Sequence, residues 1–111
     1  MEWEIVYHSE SIEQQVFALP DDLKAHYLRL TDLMMLFGPH LKLPHTKAMG
    51  SGLFELRLKG REGIARVFYC TNVGRKIVML HSFIKKSKKT PRRELDTAIK
   101  KMNEVKNDAI A

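Results

Sequence analysis

Between Leu53 and Phe83 three strand-like runs, Leu53 to Lys59, Ile64 to Thr71 and Lys76 to Phe83, are separated only by "GREG" and "NVG". Connections this short and Gly-containing return the chain as antiparallel hairpins, because a parallel crossover needs roughly a dozen residues or more. The spacing therefore predicts a three-stranded meander. In its first run Phe54, Leu56 and Leu58 alternate with Glu55, Arg57 and Lys59. One face of the sheet then meets a core and the other meets water or a ligand.

The flanks supply helices and one more strand. "EWEIVYH", residues 2 to 8, alternates and carries β-formers at Trp3, Ile5, Val6 and Tyr7, which predicts an opening strand that pairs with a sheet edge. Ser11 and Gln14 fit a capping box for a short helix bearing Ile12, Val16 and Leu19. Pro20 ends that helix and starts a second, from about Asp21 to Phe37. Its stripe of Leu23, Tyr27, Leu30, Met34 and Phe37 closes at Gly38 and Pro39. "GPHLKLPHTKAMGSG" shows no sustained period and reads as a connecting loop. Thr90 and Pro91 read as N-cap and first residue of a last helix striped with Leu95, Ala98, Ile99, Met102 and Val105. The expected fold is α+β, in the order β-α-α-β-β-β-α. The two N-terminal helices cover one face of the sheet and leave the opposite face concave.

At 111 residues, 44% hydrophobic and 29% charged, the chain suits one folded domain, residues 1–111, rather than two or a disordered segment. Runs such as "LMMLFG" and "IVML" are far shorter than the roughly 20 residues that span a bilayer, and acidic residues near the start replace the basic region of a secretory signal. A cytoplasmic protein without a membrane partner is the expectation. Cys70, the single cysteine, lies in an apolar run and reads as a small core residue. The net charge of +6 is unevenly spread: Arg57 to Arg93 holds twelve Lys or Arg against one acid, Glu62. Segregated positive charge points to phosphate-bearing partners.

Two stretches then look familiar. "KAMGSGLFELRLKGREGIARVFY" resembles the central hairpin region of toxins of the RelE superfamily, and "HSFIKKSKKTPRREL" resembles the segment after the last strand in its HigB-like, phage-related branch. The similarity spans about residues 3 to 105. It implies a RelE-like fold and the toxin of a type II toxin–antitoxin system. The implied activity is a metal-independent endoribonuclease, an mRNA interferase that cleaves message at the ribosomal A site and so inhibits translation without a cofactor. The implied partners are mRNA, the ribosome and a HigA-type helix-turn-helix antitoxin, with DNA reached only through the antitoxin. The rival reading is a non-catalytic RNA-binding module, or a degenerate toxin acting as a regulator.

Cutting RNA without a metal needs a group to take the 2′-hydroxyl proton, cations to stabilise the crowded phosphorane, and a proton for the leaving oxygen. Arg57 on the polar face of its strand is the expected phosphate clamp, since a guanidinium bonds two oxygens at once. Arg66 interrupts the apolar run "GIARVFYC"; it either pairs with Glu55 or reaches the open face and a bound phosphate. His81 is a candidate for proton transfer, or else a hydrogen-bonded histidine at a strand end. Lys85 and Lys86 complete the candidate catalytic set, since lysines crowded by cations have lowered pKa values; alone they read as hydrated charge, and the resemblance raises Lys85, Lys86 and Lys89 above that. Lys47, Lys59, Arg61, Lys88 and Lys89 are candidate RNA contacts. Phe83 either stacks on a base or packs in the core. Relatives in the wider superfamily place a Tyr or His near the C-terminus in the active site, whereas this chain has neither after Phe83. Proton chemistry then falls to His81, the lysines or Tyr69. His40 and His45 lack nearby carboxylate or thiol ligands in sequence, so no metal site is expected.

Overall fold

Short turns and apolar alternation do produce the meander. The computed structural model describes residues 2–61 and 63–110. In chain order the elements are β1 (Glu4–Tyr7), α1 (Glu10–Phe17), α2 (Asp21–Phe37), β2 (Thr46–Gly50), β3 (Leu53–Gly60), β4 (Gly63–Asn72), β5 (Lys76–Lys85) and α3 (Arg92–Ile110). They build one five-stranded sheet, ordered β1-β5-β4-β3-β2. β2 to β5 pair antiparallel, and β1 joins the far edge parallel to β5, with Glu4 opposite Lys76 and Tyr7 opposite Met79. The fold is α+β and compatible with a RelE-like one.

Three sequence expectations need correction. Residues 46–50, expected in a loop, form the edge strand β2, with Thr46 opposite Leu56, Lys47 opposite Glu55 and a register shift between Ala48 and Gly50. The bulge and the small residues hide any alternation, and pairing is imposed by the neighbour β3. Secondly, α1 is capped by Ser9, whose Oγ accepts from the Ile12 amide at 3.3 Å, and not by Ser11, which lies inside the helix. Thirdly, Thr90 does not cap α3: its hydroxyl donates to Glu55 Oε2 at 3.3 Å, and α3 begins at Arg92.

The sheet is buried on both sides, unequally. On one face α1 and α2 pack Ile12, Val16, Leu23, Tyr27, Leu30 and Met34 onto Leu56, Leu58, Val67, Tyr69, Ile77 and Met79. On the other face α3 brings Ala98 and Met102 onto Leu53, Phe68, Cys70, Val78 and Leu80. The face expected to stay open along its length is therefore covered at one end, which explains the unbroken burial of Ala65 to Cys70 in β4. Cys70 lies in this second core, and burial pushes its thiol up to about 11, leaving it inert.

Where β3 turns into β4, Gly60 lies against α2: a Cβ there would stand 2.8 Å from Asp22 Cβ and 3.3 Å from Leu23 Cδ2. Gly60→Ala is expected to destabilise the protein by about 1–3 kcal/mol, the usual range for overpacking. The midpoint of urea unfolding measures this; an unchanged midpoint means that the helix yields at no cost.

Candidate nucleic-acid interface

Residues opposite each other in an antiparallel ladder share a face of the sheet. Arg57 is opposite Arg66, which is opposite Phe83; Glu55 is opposite Phe68, which is opposite His81; Lys59 is opposite Ile64, which is opposite Lys85. Lys47 joins through its pairing with Glu55. Lys47, Arg57, Lys59, Arg66, His81, Phe83 and Lys85 thus lie on the face that α3 half covers.

Glu55 stands at the centre of this group, only 2% exposed. Its Oε1 accepts from Arg57 Nη1 at 3.1 Å and lies 3.4 Å from Arg66 Nε, while Oε2 accepts from Thr90. Arg66, 5% exposed, also donates from Nη1 to the Ala65 carbonyl at 3.1 Å, but its Nε has no well-formed hydrogen bond. Of the two alternatives for Arg66 the structure contains the pairing with Glu55, and the residue also lines the cleft beside Arg57 described below. Burial first, then Arg57, lowers the Arg66 pKa. The Lys85 ammonium is lowered as well, by burial and then by Arg66, Arg57 and Lys47, with Glu55 pulling the other way. Arg57 and Arg66 therefore share one buried carboxylate, and Lys47 and Lys85 flank them on the same face. That surplus of half-buried positive charge is suited to an incoming polyanion, whose phosphate oxygens would complete the unfilled bonds.

The remaining lysines surround this centre. Lys86, Lys88 and Lys89 are exposed in the segment after β5. Lys85, Lys86 and Lys88 line a hollow of about 440 Å³ with Ser87 and Ile64. Ser87 Oγ donates to the Lys89 carbonyl at 2.9 Å, and Thr90 ties the end of the segment to Glu55. Lys59 and Arg61 are exposed toward the β3–β4 turn, where the Arg61 amide donates to Asp22 Oδ2 at 3.1 Å.

His81 and Phe83 are more engaged than an open face requires. His81 Nε2 is 2.9 Å from Glu94 Oε2 in the first turn of α3, and Nδ1 is buried without a partner among the described residues. The half-buried Phe83 ring stacks on Phe68 at 5.9 Å and on His81 at 6.2 Å. Tyr69, one of the groups considered for proton transfer, points to the opposite face. It is fully buried, its hydroxyl donates to the Pro39 carbonyl at 2.6 Å, and burial pushes its pKa up to about 12. It has no route to a substrate on the cationic face.

Beside this site lie one residue that the sequence does not bring to notice, His26, and one weighed there only as a metal ligand, His45. His26 of α2 and His45, just before β2, line a second hollow of about 370 Å³ together with Arg57 and Arg66. No periodicity marks them, since they reach the free edge of β3 from separate elements. Among the described residues no group of three or more His, Cys, Asp or Glu is arranged to hold a metal ion, and no helix is long and apolar enough to cross a membrane.

Residues 14–103 match the protein family described as phage derived protein Gp49-like (DUF891). No curated protein sequence matches the chain significantly.

Proposed function

The chain belongs to the phage-derived Gp49-like family, which is RelE-like and associated with toxins of toxin–antitoxin pairs, and from that premise we propose that it is a metal-independent endoribonuclease of the HigB-like branch. It cleaves mRNA at the ribosomal A site in the cytoplasm and is held inactive by a HigA-type helix-turn-helix antitoxin, through which alone it meets DNA. The observation that carries this reading is the clustering of Lys47, Arg57, Arg66 and Lys85 on one face of the sheet, with Arg57 and Arg66 both against the buried Glu55 carboxylate. Arg57 and Arg66 clamp the scissile phosphate and stabilise the charge that grows on it in the phosphorane. Lys85, whose pKa its neighbours lower, takes the proton of the 2′-hydroxyl. His81 is the other proton-transfer candidate on the face. Lys47, Lys59, Arg61, Lys86, Lys88 and Lys89 hold the flanking backbone, and the exposed part of Phe83 stacks on a base.

Primer extension on messages after brief expression tests the activity. New 5′ ends at codon-linked positions are the expected result; growth arrest with intact messages would instead favour an RNA-binding module without catalysis. Lys86→Ala, at an exposed position, is expected to fold as the wild type and to lose cleavage. It should also flatten the salt dependence of single-stranded RNA binding by about 0.7 in log–log slope, the contribution of one phosphate contact. An unchanged slope and activity would remove Lys86 from the interface.

A further inference from the structure

β2 begins at Thr46, opposite Leu56, so the last residues of β3 have no strand beside them on that edge. Their amides are satisfied by other means: Arg57 N–H donates to the His45 carbonyl at 2.9 Å, and Lys59 N–H donates to His26 Nδ1 at 2.9 Å. This protects the edge from pairing with another strand, and it also determines the state of a side chain. With Nδ1 accepting a hydrogen bond, the neutral His26 ring carries its proton on Nε2. Burial, then Arg29 and His45, lower the His26 pKa and favour that neutral form. Among the described residues Nε2 has no partner, so His26 offers one oriented N–H donor.

The His26 side chain that carries this donor lines the hollow of about 370 Å³ at the β3 edge, a volume in the range of small-ligand sites. Among its other lining groups Pro44, Leu58 and Ile64 give apolar surface, Arg57, Lys59 and Arg66 give positive charge, and His45 adds a second imidazole. A bare phosphate would use only the guanidinium groups. A nucleotide uses the apolar surface as well.

We propose that this cleft is a subsite for a single nucleotide of the RNA chain, with its phosphate on Arg57 and Arg66, its base against Pro44 and Ile64, and a keto oxygen of the base accepting from His26 Nε2–H. The proposal rests on the RNA-cleaving reading above and deepens it: with O6 of guanine or O4 of uracil as the accepting oxygen, His26 becomes a specificity-determining residue that prefers these bases to adenine and cytosine, whose amino group at that position would meet the His26 donor head-on.

Titration of the full chain with each of the four nucleoside 5′-monophosphates, and with inorganic phosphate, followed by side-chain NMR signals, tests it. GMP and UMP are expected to shift the His26 ring and the Ile64 methyl groups and to bind about fivefold tighter than AMP, the worth of one hydrogen bond. Inorganic phosphate should shift only the arginines. His26→Asn keeps an acceptor for the Lys59 amide but lacks the Nε2 donor, so it should level the base preference and leave phosphate binding alone. If GMP and UMP bind no better than phosphate, the subsite is wrong while the RNA reading stands on its primer-extension result. If no anion perturbs the arginines, both readings fall. Should His26→Asn misfold, the wild-type ranking of the four nucleotides still decides.

Discussion

Arg57→Ala is expected to leave a folded protein whose cleavage of message drops by at least about 100-fold, the loss typical of removing one preorganised donor from a developing oxyanion. The side chain is 31% exposed and contributes nothing to either apolar core, so its removal should cost about 1.5–3 kcal/mol, the worth of its charged hydrogen bond to Glu55, without unfolding the protein. Glu55 keeps Arg66 and Thr90 as partners when Arg57 is gone. Arg57→Lys restores the charge without the two-pronged geometry and should recover only part of the rate. Growth arrest and primer extension, read beside a urea unfolding curve, separate a lost site from a lost fold. A variant that unfolds normally yet still cleaves message at the wild-type rate would place the chemistry elsewhere on the molecule.

Glu55→Ala is expected to act on stability first. It strips the counter-charge from Arg66, which is 5% exposed, and releases Thr90 at the start of the segment that carries α3. Leaving a buried charge unpaired costs about 3–5 kcal/mol, a large share of the stability of a small domain. Adding Arg66→Met to Glu55→Ala removes the stranded cation and should restore most of the loss, so the double-mutant cycle reports the coupling directly. If Glu55→Ala unfolds at the wild-type urea concentration, water already neutralises Arg66 and Glu55 is not the organising group.

Much of this architecture was legible before any coordinates. The short Gly-containing separators of the meander, and the alternation of Phe54, Leu56 and Leu58 with Glu55, Arg57 and Lys59, are local patterns whose consequence follows from turn length and the pleat of a strand. The stripe from Leu23 to Met34 in α2 is equally local, and so is Pro20 before its first turn. The candidate cations on β3 could be assigned to a side because a strand has only two; those of β5 could not, because its pairing with β4 contains a register shift. Arg66 was ambiguous, since an arginine in an apolar run says that a partner exists without saying which.

The parts not legible depend on neighbours distant in sequence. β2 has no alternation and exists because β3 offers it an edge. Thr90 has the composition of a helix cap, yet its hydroxyl goes to Glu55, 35 positions away in the chain. His81 has the chemistry of a proton-transfer residue, and α3 folds over it so that Glu94 takes its Nε2. His26 and His45 reach the same cleft from two elements whose spacing along the chain carries no signal.

Sequence alone determined the order of the central strands, the amphipathic helices and the sign of charge on one face, because period, turn length and side-chain type act over a few residues. Only the tertiary structure decided that two arginines share one buried carboxylate beside two lysines, how far α3 covers the sheet, and that a histidine-lined cleft opens beside them. Those outcomes depend on which strands are neighbours and where a helix docks. Burial and charge-pair energies between such distant partners are set by distances that exist only once the sheet has assembled.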